Sequence, residues 1–530
     1  MTTGTLPTAA DVVAESYRRR TFAVISHPDA GKSTLTEALA LHARAIGSAG
    51  AVHGKAGRKG VVSDWMSMER ERGISITSAA LQFEYQGVVV NLLDTPGHAD
   101  FSEDTYRVLT AVDCAVMLLD AAKGLEPQTL KLFDVCRHRG IPVITVVNKW
   151  DRPGKHALEL CDELESHIGL HATPLTWPVG EAGYLEGLLD RRTARMLRFA
   201  RTAGGATAAG QEELSPERAQ AEHGDVWRAA VEEAALLDPV DTESFLTGET
   251  TPMLFGAAVL NIGIRQLLDT LVQLAPKPTA RPDADGTPRP VDAPFSGVVF
   301  KVQAGMDAAH RDRVAFVRVC SGRFERGMVV THAATGRPFT TKYAQAMFGR
   351  GRGTVDLAYP GDIVGLVNAS TLTAGDTLHA EESPVRFPGM PAFAPEHFAV
   401  ARAADSGRSK QFRRGITQLE QEGVVQVLRS DLRGDAAPVL AAVGPLQFEV
   451  ATHRLEHEFR APVQLERLPY SLAMLTRPQD VPVLDAERGV EVAHRSDGAP
   501  LVLFPDRWRL DTVRRQHPAS LLEPLVASVT

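Results

Sequence analysis

The chain has 530 residues, with 57 Lys plus Arg against 65 Asp plus Glu, for a formal charge of −8. At ~150 residues per domain this implies three or four domains, and 44% apolar content excludes a wholly disordered chain. No apolar run approaches the ~18 residues of a membrane span, and the N-terminus MTTGTLPTAADVVAESYRRR lacks the apolar core of a secretory signal. Four scattered cysteines (Cys114, Cys136, Cys161, Cys320) suit neither a disulfide scaffold nor a CxxC metal site and read as core. A soluble, reduced, cytoplasmic protein with no membrane partner is expected.

The first part of the chain alternates short apolar runs with segments long enough for crossover helices. Phe22–Ile25, Val88–Leu93, Ala115–Leu119 and Val143–Val147 read as strands buried on both faces of a parallel sheet. This predicts a doubly wound α/β domain. Ligands of such folds sit beyond the carboxyl ends of the strands, here Ser26, Asp94, Asp120 and Asn148. Ser26–Ser33 reads SHPDAGKS and leads from the first strand into a helical pattern, the context of a phosphate loop. Backbone N–H groups there face phosphate oxygens. Lys32 would reach the β- and γ-phosphates, and the Ser33 hydroxyl would ligate Mg²⁺.

Asp94-Thr95-Pro96-Gly97-His98 follows the second run. Its carboxylate would hold Mg²⁺ through water, and the Gly97 N–H would meet the γ-phosphate. Asn148-Lys149-Trp150-Asp151 follows the fourth run. The Asp151 carboxylate would accept from guanine N1 and N2, which adenine cannot match, and an unpaired buried acceptor penalises the wrong base. Trp150 reads as a packing residue. Each motif alone also has a plain strand–turn reading; three in this order, each at a strand end, point to a nucleotide site.

Further along, residues 202–249 read as an insertion. Its small-residue stretch TAGGATAAG precedes 211–249, which holds eleven acids and two basic residues and carries the whole negative balance. Residues 275–291 contain five prolines and read as a linker. From Phe295 to about Ala380, runs such as GVVFKVQ and RVAFVRVCSG broken by Gly and Pro predict a β-barrel. After Pro391 the order helix (Lys410–Glu422), strand (Val424–Leu428), helix (Gly444–Arg460) predicts an α+β sandwich. Arg337–Arg352 and Arg402–Arg414 are basic runs. Solvated faces and phosphate contacts are both open for them. His453-Arg-Leu-Glu456-His457 spells the HxxEH of a zinc protease, but an amphipathic helix is the expected reading.

Together SHPDAGKS, ERGISIT (Glu71–Thr77), DTPGH and NKWD resemble the motif set of a translational GTPase. The spellings ISHPDAGK, SDWMSMERERGISIT, FSEDTYRVLTAVDCAVMLLDAAKG and TWPVG, near Gly180, resemble the bacterial peptide chain release factor 3 family over nearly the whole chain. The resemblance implies a P-loop GTPase domain over 1–275, a linker over 276–291, a barrel over 292–385 and an α+β domain over 391–530. It implies GTP or GDP with Mg²⁺ as ligands. Ser26, His27, Pro28, Asp29, Ala30, Gly31, Lys32, Ser33 and Thr34 would hold the phosphates. Asp94, Thr95, Pro96 and Gly97 would form part of the second switch, with switches near 62–77 and 94–105. Ser75 would join Ser33 and Asp94 around Mg²⁺, and His98 would be the catalytic histidine that orients the attacking water. Asn148, Lys149 and Asp151 would read guanine together with Gly256, Ala257 and Ala258. The Ala258 N–H would face guanine O6, and Ala257 lacks a hydroxyl that relatives often carry. The partners implied are the ribosome and class I peptide chain release factors, and a monomer is expected. An elongation or rescue GTPase is the alternative within the class. A guanine-nucleotide-gated binding protein without useful hydrolysis, which need not keep His98, is the alternative outside it.

Overall fold

The structure is a computed structural model that describes residues 8–43, 80–96, 100, 102–200, 210–304, 313–348, 351–367, 369, 371–390, 394–434 and 436–525. Chain order begins α1 (Ala9–Tyr17), β1 (Arg19–Ser26), α2 (Lys32–His42), β2 (Ala80–Tyr85), β3 (Val88–Asp94) and α3 (Ser102–Leu109). It continues β4 (Cys114–Asp120), α4 (Pro127–His138), β5 (Val143–Asn148), α5 (Ala157–Ile168) and β6 (His171–Pro174). Every residue of β1, β4 and β5 is buried, which is why they read as unbroken apolar runs. β2 and β3 form a hairpin whose turn residues, Gln86 and Gly87, both have positive φ (50° and 75°). That pair matches the right-handed twist of the strands.

A small separate sheet precedes the acidic stretch. β7 (Thr176–Val179), β8 (Gly187–Asp190), β9 (Arg195–Phe199) and β10 (Gln211–Leu214) form their own antiparallel sheet. The acidic stretch follows as α6 (Pro216–Ala234), broken at Gly224, and α7 (Thr242–Thr247). The stretch expected as an insertion, about 202–249, thus follows directly on this small sheet and supplies its last strand; residues 201–209 lie outside the described residues. The strands are only four or five residues long and carry no continuous apolar run. β11 (Thr250–Phe255) then returns to the main sheet, and α8 (Ile264–Leu274) closes the domain. The seven-stranded order is β2-β3-β1-β4-β5-β11-β6, parallel except for β2. Leu35, Leu39, Leu267 and Leu271 pack on one face. Leu132, Phe133, Leu160 and Leu164 pack on the other.

The Pro-rich linker is pinned rather than loose. Within it β12 (Arg281–Pro282) and β13 (Pro288–Arg289) pair as a hairpin. Arg281 donates to Thr110 O at 2.8 Å and Arg289 to Ser321 Oγ at 2.9 Å. The barrel follows as β14 (Ser296–Ala304), β15 (Arg313–Ser321), β16 (Phe324–Glu325), β17 (Val329–His332), β18 (Arg337–Thr340), β19 (Ala344–Phe348), β20 (Gly351–Thr354), β21 (Leu357–Ala358), β22 (Ile363–Val367) and β23 (Thr377–His379). Its core holds Phe295, Val299, Val317, Phe324 and Leu378.

The C-terminal domain contains β24 (His397–Ala403), α9 (Ser409–Glu422), β25 (Gln426–Arg429), β26 (Val439–Ala442), α10 (Pro445–His457) and β27 (Val463–Arg467). Four more strands, β28 (Leu472–Leu475), β29 (Glu491–Arg495), β30 (Pro500–Phe504) and β31 (Glu523–Pro524), extend the same sheet through the β25–β29 pairing. Phe412, Ile416 and Leu419 of α9 meet Phe448 and Leu455 of α10 over it. All four cysteines are buried.

The barrel meets the first domain through buried charges. Arg19 Nε lies 3.2 Å from Asp362 Oδ2, and Lys301 Nζ lies 2.9 Å from Asp104 Oδ2. Arg318 donates to both oxygens of Asp113 (2.9 and 2.7 Å) and to Ala111 O at 2.6 Å. Its side chain is 3% exposed. Removing one partner of such a pair strands the other charge. Arg318→Met should therefore cost about 3–5 kcal/mol, and adding Asp113→Leu should restore most of it. Urea unfolding of the full chain measures both. A loss for Arg318→Met below about 1 kcal/mol would class the pair with exposed ion pairs instead.

Candidate nucleotide-binding site

The carboxyl ends of β1, β3, β4, β5 and β11 converge, because parallel strands of one sheet all point their C-termini to one edge. After β1 the chain turns through Asp29 (φ 64°) and Gly31 (φ 98°) into α2. Gly31 is the N-cap of that helix and, having no side chain, makes no side-chain cap. A Cβ on Gly31 would lie 2.5 Å from Asn148 Nδ2, so only glycine fits there. Ser26 Oγ donates to His27 O at 2.9 Å. His27 is wholly enclosed, with Nδ1 2.8 Å from Glu126 Oε2. Burial lowers its pKa, and the Glu126 charge acts the other way. Pro28 and Ser33 are half-buried, Ala30 is buried, and Asp29 and Thr34 are exposed.

Lys32 is a buried cation whose Nζ donates to Thr95 Oγ1 at 3.4 Å. Burial pulls its pKa down to about 8, with Asp94 pulling it back up. Thr95 Oγ1 in turn donates to Val24 O at 2.7 Å. Asp94, Thr95 and Pro96 are buried beside this loop. Gly97, His98 and Ser75, expected here, lie outside the described residues.

At the end of β5, Asn148 Nδ2 donates to Ala30 O at 2.8 Å, and its Oδ1 accepts from Ala258 N at 2.9 Å. The Ala258 N–H, expected to face a base, donates to Asn148 in this structure. Lys149 has φ 65°, which turns its Nζ onto Asp120 Oδ2 at 2.8 Å. Trp150 is buried edge-on against Phe255 (5.0 Å, 84°), and Trp177 meets the same ring at 5.3 Å. Trp150 Nε1 donates to Gly180 O at 3.2 Å, so the TWPVG segment is the floor beneath NKWD. Gly256 O accepts from Trp150 N, and a Cβ on Gly256 would lie 2.5 Å from Ile262 O. Asp151 Oδ1 is buried without a hydrogen-bond partner among the described residues.

The residues fit a nucleotide with Mg²⁺. A helix start behind a glycine N-cap and a buried cation suit phosphates. The orphaned Asp151 oxygen suits a donor edge of a base, and a hydroxyl with a carboxylate suits a hard cation. Sequence reasoning noted Asp120 as a strand end but not its hold on Lys149. It missed Glu126 under His27, and nothing in the spacing signals that contact.

Other expected features are placed as follows. Arg402 lies 3.3 Å from Glu466 and Arg408 3.9 Å from Asp405, whereas Lys410, Arg413 and Arg414 are exposed on α9. Arg337 and Lys342 are exposed, and Arg350 lies outside the described residues. Arg198 and Arg218 pair with Glu212 and Glu222 across the acidic insertion. The His453 and His457 rings stack at 4.2 Å. No group of three ligating side chains that could hold a metal occurs among the described residues. No helix among them is long and apolar enough to cross a membrane.

Fold and site together define the class, a translational GTPase. Residues 17–277 match the Elongation factor Tu GTP binding domain, 294–381 match Elongation factor G domain 2, and 387–514 match the Class II release factor RF3, C-terminal domain. The peptide chain release factor 3 of Gloeobacter violaceus is 46% identical, covering 96% of this chain and 97% of that protein. The protein of the same name from Symbiobacterium thermophilum is 45% identical over 94% and 96%. A solved structure from Thermus thermophilus shares the fold, with a TM-score of 0.68 at 21% identity over 91% of this chain and 71% of that one. The chain belongs to the peptide chain release factor 3 family, translation termination factors with a translational GTPase domain.

The Lys32 environment gives a pH dependence. Below about pH 8 the ammonium is charged with or without phosphate beside it. Above that the free site holds neutral Lys32, and an anion must restore its proton. Guanine-nucleotide affinity should be level below about pH 8 and fall above it, with a proton taken up on binding. Calorimetry in buffers of different ionisation enthalpy reads that uptake, and Lys32→Met should abolish it.

Proposed function

We propose that this chain binds GTP with Mg²⁺, hydrolyses it when the ribosome stimulates it, and uses the cycle to drive class I release factors off the ribosome after peptide release. It would act in the cytoplasm as a monomer. The observation that carries the nucleotide assignment is the orphaned Asp151 Oδ1, buried next to loops that Asn148 ties together.

In this reading Asp151 accepts from guanine N1 and N2 while Lys149 is held aside by Asp120. Ala258 offers O6 a share of the N–H it gives to Asn148. Lys32 and the first turn of α2 hold the β- and γ-phosphates, and Gly31 lets the backbone come close. Ser33, Ser75 and Asp94 would hold Mg²⁺, which would supply positive charge against the phosphates. His98 orients a water toward the γ-phosphorus. The new P–O bond forms as the β–γ bridging bond breaks, leaving GDP and inorganic phosphate. Positioning and charge supply most of the rate in such transfers. The exposed Lys410, Arg413 and Arg414 are the members of the Arg402–Arg414 run that remain available to ribosomal phosphates.

Asp151→Asn tests the base assignment. The amide puts a donor where guanine also has one and xanthine has an acceptor, so preference should move from GTP toward xanthosine triphosphate. Competition binding with GTP, ATP and xanthosine triphosphate reads the shift, and equal binding of ATP and GTP by the parent chain would sink the assignment. His98→Ala tests the catalytic one. GTP binding should be nearly unchanged while ribosome-stimulated turnover falls on the scale of ~10³–10⁵ that GTPase activation supplies. Unchanged stimulated turnover would place the catalytic group elsewhere.

A further inference from the structure

The connection between β4 and α4, residues 120–126, lies beside both loops that would grip a nucleotide, and its own shape is tightly set. Asp120 O accepts from Gly124 N at 2.8 Å, and Asp120 Oδ1 accepts from Ala122 N at 2.9 Å. Ala121 N donates to Asn148 O at 3.0 Å, and Ala121 O accepts from Lys155 N at 2.9 Å. Leu125 N donates to Glu163 Oε2 of α5 at 3.1 Å, and Lys155 pairs with the same carboxylate. Gly124 takes φ 70°, and a Cβ there would overlap Glu163. A turn bonded this densely keeps the side chains at its two ends in fixed places.

Each end presents an acid to a different loop. Asp120 Oδ2 accepts from Lys149 Nζ at 2.8 Å, in the NKWD segment. Glu126 Oε2 lies 2.8 Å from Nδ1 of the enclosed His27, in the phosphate loop, a contact of charge and distance rather than of hydrogen-bond alignment. His27 Nε2 has no hydrogen-bond partner among the described residues. Glu126 stands at the N-cap of α4, yet its side chain makes no cap hydrogen bond. Its carboxylate is turned instead to His27 and, at 3.6 Å, to Lys123.

We propose that residues 120–126 form a bracket that positions the phosphate loop and the guanine loop together, and that Glu126 is a positioning residue that slows nucleotide release through His27. The inference rests on the guanine-nucleotide reading above. His27 directly precedes Pro28 and the turn through Asp29 to Gly31, so a ring free to swing would let the backbone that faces the phosphates shift. Lys149 stands two positions before Asp151, so freeing it would loosen the base end instead. The two acids thus act on opposite halves of one ligand. Glu126 sets how firmly the phosphates are held, and Asp120 sets how well the base is read. Asn148 joins the same two loops through their backbones and substitutes for neither side-chain contact.

Release of fluorescent GDP from the full chain, chased with unlabelled GDP, tests this. Glu126→Ala should speed release by about tenfold, the scale of one contact to a charged group. Glu126→Gln, which keeps an acceptor and loses the charge, should fall between Glu126→Ala and the parent. The double variant His27→Ala/Glu126→Ala should release no faster than His27→Ala alone, because Glu126 acts through that ring. Competition with inosine diphosphate, which lacks the N2 amine, reads the other end. The preference for GDP over it should be unchanged in Glu126→Ala and reduced in Asp120→Asn, which keeps the acceptor for Ala122 N and loses the charge that holds Lys149. A general loosening of the domain would not give that split. Unchanged release from Glu126→Ala with GDP still bound, additive effects with His27→Ala, or a base preference lost in Glu126→Ala or kept in Asp120→Asn would overturn the proposal. Failure of the parent chain to bind GDP would instead remove the guanine reading, and this one with it.

Discussion

One buried amide fixes the geometry on which the site depends. Asn148 donates to the phosphate loop through Ala30 O and accepts from the guanine loop through Ala258 N. Two loops more than 200 positions apart are thereby set at a fixed spacing. Aspartate there would turn a lone pair onto the Ala30 carbonyl, and leucine would orphan both buried groups. The amide also imposes conditions on its neighbours. Gly31 must lack a Cβ because Asn148 Nδ2 occupies that space. Lys149 must take a left-handed conformation, since the chain has to turn at once to bring Trp150 onto Phe255 and leave Asp151 beside the loops. The Asp120 pair and the tryptophan floor over-determine that turn, which is how a strained backbone persists at a functional site.

Much of this was legible because the central strands are enclosed on both faces. Phe22–Ile25, Ala115–Leu119 and Val143–Val147 read as continuous apolar runs, and the strands exceed them by one to three residues at each end at most. Once the strands are placed, the rule that ligands gather at their carboxyl ends puts Ser26, Asp94 and Asn148 together without further information. The insertion sheet was not legible. TWPV and GLLD are too short to establish a period, and acidic composition drew attention to the helices beyond them. The anchoring of the linker was hidden for a related reason. Five prolines describe a chain that cannot form a regular ladder, but Arg281 and Arg289 hold it by hydrogen bonds to distant oxygens, which leave no apolar pattern. The engagement of the Ala258 N–H is likewise a long-range contact, invisible in the local spelling.

The two interfaces around the GTPase domain differ in kind. The barrel side combines buried ion pairs with an apolar patch, where Phe300, Phe316, Ile363 and Val367 join the core that contains Leu93 and Val108. Separating those surfaces would expose hydrocarbon as well as charge. The C-terminal domain keeps its hydrophobic clusters to itself: among the described residues, none of those around Phe412, Phe398 or Phe504 includes a residue from the other domains.

Among the described residues, the hydrogen bonds that tie it to the rest include Asp100 to the start of α10, Arg107 to the end of α9, and Arg313 to Gln421 at 2.7 Å. Water can replace such contacts at modest cost, whereas it cannot replace buried apolar area. The physical division is therefore between a barrel fixed to the GTPase domain and a C-terminal domain held by exchangeable bonds. Two of those three bonds come from residues on or just before α3. Helix α3 carries charge to both interfaces, with Asp104 on Lys301 of the barrel and Arg107 on the end of α9, so the stronger contact and the weaker one share a single short helix.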